Sequence, residues 1–363
     1  MFLARLNSRT RGPIRNDRGV PGFSPARMRR AIIPLAVVAA LLGWAAGASA
    51  DQVLEQRTLF AGRNVYSPEV ENVAGGQAMW YGGWQTERDR AGGDKIYRRL
   101  SSDGIAWGAH TTVLTPANMP GGSAAWRHVN DPSITIDDGP KPYTMFFTAC
   151  RNPCAVTQGN EIWSAESVNG VDWTNLKPLL AGFPHPAEPS ATVERSGAQE
   201  WKVYYTGRSE CGKVKMVSVD AEREVISKPQ TVLSTSRPAS CLLNPEVKYF
   251  HSAWHIFYER SDVWTNRRDI EESESDSNTS WTGFSKLINN DGPIYCATVG
   301  PGVLPLAGGS YDMFVGVTRR RSDGTCDVSY QRRIDRWRWR RPLTPLGQRY
   351  PAWVPFPIPT WPT

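Results

Sequence analysis

From residue 51 onward, hydrophobic and polar positions alternate in short runs, and no stretch there keeps a helical period. Five runs stand out as rich in aromatic and β-branched residues: 78–82, 143–148, 201–206, 254–258 and 311–315. That composition predicts buried strands. A proline motif precedes each run. The copies are Ser67-Pro68-Glu69-Val70, Asn130-Asp131-Pro132-Ser133-Ile134, Glu188-Pro189-Ser190-Ala191, Asn244-Pro245-Glu246-Val247 and Gly300-Pro301-Gly302-Val303. The prolines stand at 68, 132, 189, 245 and 301, at spacings of 64, 57, 56 and 56. Near-even recurrence of one pattern implies one supersecondary unit copied five times.

Within each unit the order reads as a short alternating strand after the proline, a turn, the aromatic strand, a polar loop, and a third strand such as 95–100 or 161–167. Asp103-Gly104 before Trp107 and Asn169-Gly170 before Trp173 predict tight type I′ hairpins into a fourth strand. A four-stranded antiparallel sheet cannot bury both of its faces alone. Five of them stacked radially give an all-β, five-bladed β-propeller over residues 51–345, with 51–66 as an entry segment. The first strand of each blade then lines the axial channel, and the residue before each proline stands at its mouth. Loops between second and third strands open on the same face, making Trp84, Arg88, Arg151, Arg208, Trp264, Arg267 and Arg268 rim candidates.

Charge changes the picture only in the leader. Of the 42 basic and 35 acidic residues, eight Arg and one Asp fall in residues 1–50, which leaves 34 of each from 51 onward. The formal +7 therefore belongs to the leader, and no broad basic face calls for nucleic acid as a partner. Arg27, Arg29 and Arg30 precede the apolar run 31–46, and Ala48-Ser49-Ala50 offers a cleavage site. This is the order of a secretory signal peptide. The run includes Pro34 and Gly43 and is shorter than the ~20 residues that span a bilayer. The expectation is export to the periplasm or medium after cleavage near Ala50, starting from Met1 or Met28, with no membrane association afterwards. The basic stretch 332–341, with Trp337 and Trp339, reads as a solvated strand face. The Pro/Trp-rich tail 346–363 either docks a partner or covers an apolar edge.

Export makes the six cysteines a disulfide question, with 15 possible pairings. Cys150 and Cys154 bracket a short loop. In the propeller, Cys211 and Cys241 fall on the mouth face, as do Cys296 and Cys326, which predicts pairs 150–154, 211–241 and 296–326. There is no C-x-x-C and no histidine at ligand spacing, so neither a metal nor another cofactor is expected.

Two acidic residues, Asp131 and Glu188, occupy equivalent slots in adjacent units. Carboxylates around one concave mouth push each other's pKa values apart, and glycosidic cleavage needs one protonated and one ionised carboxyl group. The chain carries 14 Trp after the leader; blade packing takes most of them, and some can face sugar. The proline motifs, the strand Tyr143-Thr144-Met145-Phe146-Phe147-Thr148 and the 101–107 run resemble the five-bladed β-propeller glycoside hydrolases of family 43 and relatives including family 32. The resemblance spans roughly 60–340. It implies Glu188 as general acid and Asp131 as the carboxylate that tunes it.

The base slot in blade one departs from that pattern, because Ser67 stands there and a hydroxyl cannot take a proton from water as a carboxylate does. Glu69 shares the strand face of Ser67 and is the candidate base; Glu71 lies ~7 Å deeper. Alternatively, both are channel-lining residues paired with Lys248 or Arg63, and Glu246 at the same offset in blade four favours that role. Trp84, Trp126, His128, Arg208 and Asn244 are the candidate substrate-binding residues. His128 and His185, each three residues before a slot carboxylate, either orient substrate or are ordinary hydrogen-bonded histidines. The expected function is an exported, monomeric glycosidase acting on a poly- or oligosaccharide. The alternative is a non-catalytic glycan- or protein-binding propeller that lacks the blade-one base.

Overall fold

The computed structural model describes residues 51–86, 90, 93–155, 158–195, 200–237, 239–262, 267–281, 283–290, 295–319 and 333–340. Residues 1–50 and 341–363, Arg88, Trp264, Cys326 and the Cys296 side chain lie outside that set, and with them the expected signal peptide, the expected tail and the expected 296–326 bridge.

Among the described residues twenty strands form five four-stranded antiparallel meanders, the last two joined into one eight-stranded sheet by a parallel contact of Arg268 with Ala297. Blade one is β2 (Asn64–Val73), β3 (Gly76–Trp84), β4 (Lys95–Ser101) and β5 (Thr111–Leu114). Blade two is β6 (Trp126–Ile136), β7 (Tyr143–Ala155), β8 (Gln158–Ser167) and β9 (Trp173–Leu180). Blade three is β10 (Pro186–Arg195), β11 (Glu200–Gly207), β12 (Lys213–Val219) and β13 (Gln230–Ser234). Blade four is β14 (Ser240–Phe250), β15 (Ala253–Asp262), β16 (Arg268–Ser275) and β17 (Ser285–Ile288). In blade five, β18 (Tyr295–Pro305), β19 (Ser310–Arg319) and β20 (Arg333–Arg340) are completed by β1 (Gln52–Ala61) from the other end of the chain. The first strands β2, β6, β10, β14 and β18 each contact the next, and β18 contacts β2, so the ring closes.

The core is not one mass but five, one at each blade–blade interface. Trp80, Ile96, Trp126 and Phe147 pack between blades one and two, and Phe146, Ile162, Trp201 and Val217 between two and three. Tyr204, Val214, Ile256 and Trp281 join three to four; Phe257, Ile270, Tyr311 and Trp339 join four to five; Val70, Tyr81, Phe314 and Ile334 join five to one. The alternating pattern has this cause: each sheet buries both faces against neighbours while its outer edge stays wet.

Two sequence expectations change. The Asp-Gly and Asn-Gly turns are not type I′, because only Gly104 and Gly170 have positive φ (70° each), where type I′ needs two such residues. Instead Asp103 Oδ1 accepts from the N–H groups of Ile105 and Ala106, and Asn169 Oδ1 from those of Val171 and Asp172, which caps longer loops. The basic stretch is also not a solvated face. It is β20, sandwiched between β19 and β1, and Arg336 within it is 1% exposed and bound to Glu55 at 2.6 Å.

Candidate functional site

Each first strand carries the same irregularity at its proline. Residues 67–68 oppose one residue of β3, and the same two-against-one count recurs at 131–132, 188–189, 244–245 and 300–301. These are β-bulges, which re-aim a side chain out of the sheet plane. The residue before every proline adopts positive φ: 45° at Ser67, 48° at Asp131, 57° at Glu188, 47° at Asn244 and 59° at Gly300. Left-handed backbone costs a non-glycine residue on the order of 1 kcal/mol or more, so four such positions are held against a local preference. What they gain is convergence: all five pre-proline residues line one axial cavity. Gly300 is small for cause, since a Cβ there would lie 2.5 Å from Ser67 Oγ. The cavity itself, about 20 Å³, has room for about one water, so a sugar ring would have to sit above it.

Glu188 is 2% exposed and meets donors from three directions. Arg208 approaches Oε1 at 2.5 Å, while Thr206 Oγ1 (2.6 Å) and the Asn244 N–H (2.9 Å) donate to Oε2. Arg208 is buried at a cost to its charge, but Glu188 first, then Asp131, Glu259 and Tyr66, outweigh that cost and hold its pKa above the usual arginine value.

Asp131 is 4% exposed and faces no cation so directly. Burial first, and then the charge of Glu188, push its pKa up to about 7, with Arg208 and the Ser67 hydroxyl pulling back part of the way. The Ser67 hydroxyl reaches Asp131 Oδ1 as a donor at 2.9 Å and lies 3.0 Å from Asn244 Oδ1, while Asn244 Nδ2 donates to Glu259 at 3.0 Å.

The remaining candidates fall as follows. Glu69 does not offer a free carboxylate to the mouth: Lys248 Nζ binds it at 2.9 Å, together with Glu71 at 3.0 Å and Glu246 at 3.1 Å. Burial, then the charge of Glu246, raise the Glu69 pKa well above its usual value. This is the channel-lining alternative, and it removes the rationale for Glu69 as base. Trp126 is 2% exposed, donates Nε1–H to Pro120 O, and packs edge-on to Trp163 under the Arg151 guanidinium. It is a core residue with no face for a sugar. Trp84 is 9% exposed beneath Arg90. His128 Nδ1 accepts from the Asp94 N–H at 2.9 Å, and both ends of the Asn244 side-chain amide are engaged within the protein. Arg268 pairs with Glu259 and Arg267 with Asp269. Cys150–Cys154 and Cys211–Cys241 are bonded as expected, the second bridge lying three residues from both Arg208 and Asn244.

Tyr66 and Asp94 were missed in the sequence. The Tyr66 hydroxyl donates to Asp94 Oδ2 at 2.5 Å and accepts from Asn130 Nδ2 at 2.9 Å. Both flank the repeat slots, Tyr66 preceding Ser67 and Asn130 preceding Asp131, which is the signal a closer comparison of slots could have used.

No protein-family model matches the chain, and no curated protein sequence does. Solved structures do. A Bacillus subtilis arabinanase aligns at TM-score 0.56 and 12% identity over 77% of this chain and 97% of its own. The catalytic domain of a Coprinopsis cinerea GH62 α-L-arabinofuranosidase aligns at 0.59 and 10%, over 78% and 95%. A GH43_1 enzyme from Xanthomonas citri complexed with xylotriose aligns at 0.54 and 12%, over 76% and 92%. The chain therefore has the fold of the family 43 and family 62 propeller glycoside hydrolases.

Proposed function

We propose that the propeller mouth binds a glycan and hydrolyses its glycosidic bonds, with the Asp131–Glu188 pair holding the proton that the departing oxygen needs. The observation that carries this reading is the division of labour within the pair. Three donors converge on the Glu188 carboxyl group, and a pKa of about 7 leaves Asp131 protonated below neutrality. A carboxylic acid kept neutral beside an ionised partner is what protonation of a leaving group requires. On this geometry Asp131 carries the proton and Glu188 holds the negative charge that an oxocarbenium-like transition state would feel. The relatives in fold, an arabinanase, an arabinofuranosidase and a xylotriose-bound enzyme, make arabinose- and xylose-containing glycans the first substrates to try.

The test is hydrolysis of aryl arabinofuranosides, aryl xylosides, arabinan and xylan by the purified chain. Glu188→Gln and Asp131→Asn should each reduce kcat by about 100-fold or more, the usual worth of a positioned acid or base. A second reading, a propeller that binds glycans without cleaving them, draws on Ser67 in the base slot and on Glu69 bound to Lys248. Saturable glycan binding by a folded protein with no turnover on the panel would select that reading. Absence of both binding and turnover would remove both.

A further inference from the structure

We propose that Asp94 is the general base of this site, supplying from a loop the carboxylate that blade one lacks at its pre-proline slot. The inference rests on the hydrolytic reading above. β3 runs antiparallel to β2 and ends opposite Asn64, and Lys95 at the start of β4 pairs with Gly83, so Asp94 falls at the same end of the blade as the Ser67 slot. Asp94 is the last residue of that segment, 8% exposed.

Its backbone is fixed three times over. Gly93, at φ 79°, presses so closely on β6 that a Cβ would lie 1.7 Å from Arg127 O. The Asp94 carbonyl accepts from Val129 N–H at 3.1 Å, and its own N–H donates to His128 Nδ1 at 2.9 Å. Main-chain contacts thus tie blades one and two here, and the carboxylate adds to them through Oδ2, 3.4 Å from His128 Nδ1.

The carboxylate also turns to Tyr66. The Tyr66 hydroxyl stands between Asp94 and the Asn130-Asp131 bulge. Burial, then the charges of Asp94 and Asp131, raise its pKa well above the usual phenol value, so it remains a donor and orients Asp94 without competing for the proton. That leaves Asp94 Oδ1, buried and without a hydrogen-bond partner among the described residues. A buried carboxylate oxygen left open, one hydrogen-bonded tyrosine away from the residue preceding Asp131, is where a water would be held. In the step proposed, the water oxygen bonds to the anomeric carbon and its proton passes to Asp94 Oδ1. The glycosidic C–O bond breaks and the departing oxygen takes the proton of Asp131, so one water is consumed and no redox partner is required.

The test is steady-state kinetics of wild type, Asp94→Ala and Asp94→Asn, each with and without sodium formate, on a substrate that the wild type cleaves. The expected result is a fall in kcat of about 100-fold or more with little change in KM. Formate should return activity to Asp94→Ala, where the removed carboxylate leaves space, and not to Asp131→Asn. Should Asp94→Ala fail to fold, the isosteric Asp94→Asn carries the kcat-against-KM comparison. A further arm places a carboxylate back in the slot: Ser67→Asp in the Asp94→Asn background should recover part of the lost turnover. Activity of Asp94→Asn within about threefold of wild type overturns the assignment while leaving the hydrolytic reading intact. So does a loss in Asp94→Ala that formate does not touch. A folded wild type that cleaves nothing on the panel overturns the hydrolytic reading, and this assignment with it.

Discussion

The Arg208 guanidinium and Oε1 of Glu188 lie 2.5 Å apart, and the same guanidinium pulls down the pKa of Asp131. Arg208 favours the ionised form of Asp131 against its burial. Arg208→Met is expected to move the titration of Asp131 to higher pH and to cut kcat by about tenfold or more, read from pH–rate profiles. It should also lower stability at pH 8 by about 3 kcal/mol, the low end for breaking a buried pair, because a quarter of the Arg208 side chain still meets water.

Asp131 ties stability to pH with a definite sign. Its folded pKa of about 7 stands above the value of 3.8 expected of a free aspartate. The contribution is thus complete below the unfolded value and is lost as pH rises toward 7. Over that window one proton changes stability by about 1.4 kcal/mol per pH unit at most. Asp131→Asn removes this slope, so its melting temperature should fall less than that of wild type between pH 4 and 7 and exceed it at pH 8.

Deeper in the channel, Lys248 holds three carboxylates. The charges of Glu246, Glu69 and Glu71 overcome burial and raise its pKa well above the usual lysine value. Lys248→Met leaves those acids without their cation and should cost about 3 kcal/mol. Because the raised Glu69 and Glu246 can escape by taking up protons, the loss in thermal unfolding should be larger at pH 8 than at pH 5. Adding Glu69→Gln should recover part of it.

Blade five depends on a strand from the far end of the chain. Deleting residues 52–61 exposes the edge of β20 and strips Arg336 of Glu55. An open edge is a pairing template for other chains. Size-exclusion chromatography of that deletion should show aggregate where the intact chain elutes as one species.

The proline repeat made the propeller legible, because a period near 56 survives even when the residue before each proline changes. The bulge at each proline was not legible, since only pairing register reveals two residues facing one. Asp131 and Glu188 could be found by position in the repeat. The donors around Glu188 could not, because Arg208, Thr206 and the Asn244 amide arrive from separate segments. Glu69 was visible both as a base and as a partner of Lys248, and the choice fell to a contact across 179 residues. Asp94 carried no motif at all; a loop and a tyrosine hydroxyl define it. Arg336 looked solvated because the strand that covers it, β1, lies 281 residues away in sequence at Glu55.

Pairing of Gln52 with Arg340 makes the ring a buckle whose tongue is made first and whose catch is made last. During synthesis β1 emerges with no partner and must wait for every other blade. Contacts of such long sequence separation slow folding, so the closed ring should form late and all at once. The same fastening gives the folded protein no terminal blade from which to unravel: fraying at either end of the described chain has to break blade five, and with it the wall behind Gly300 and Ser67.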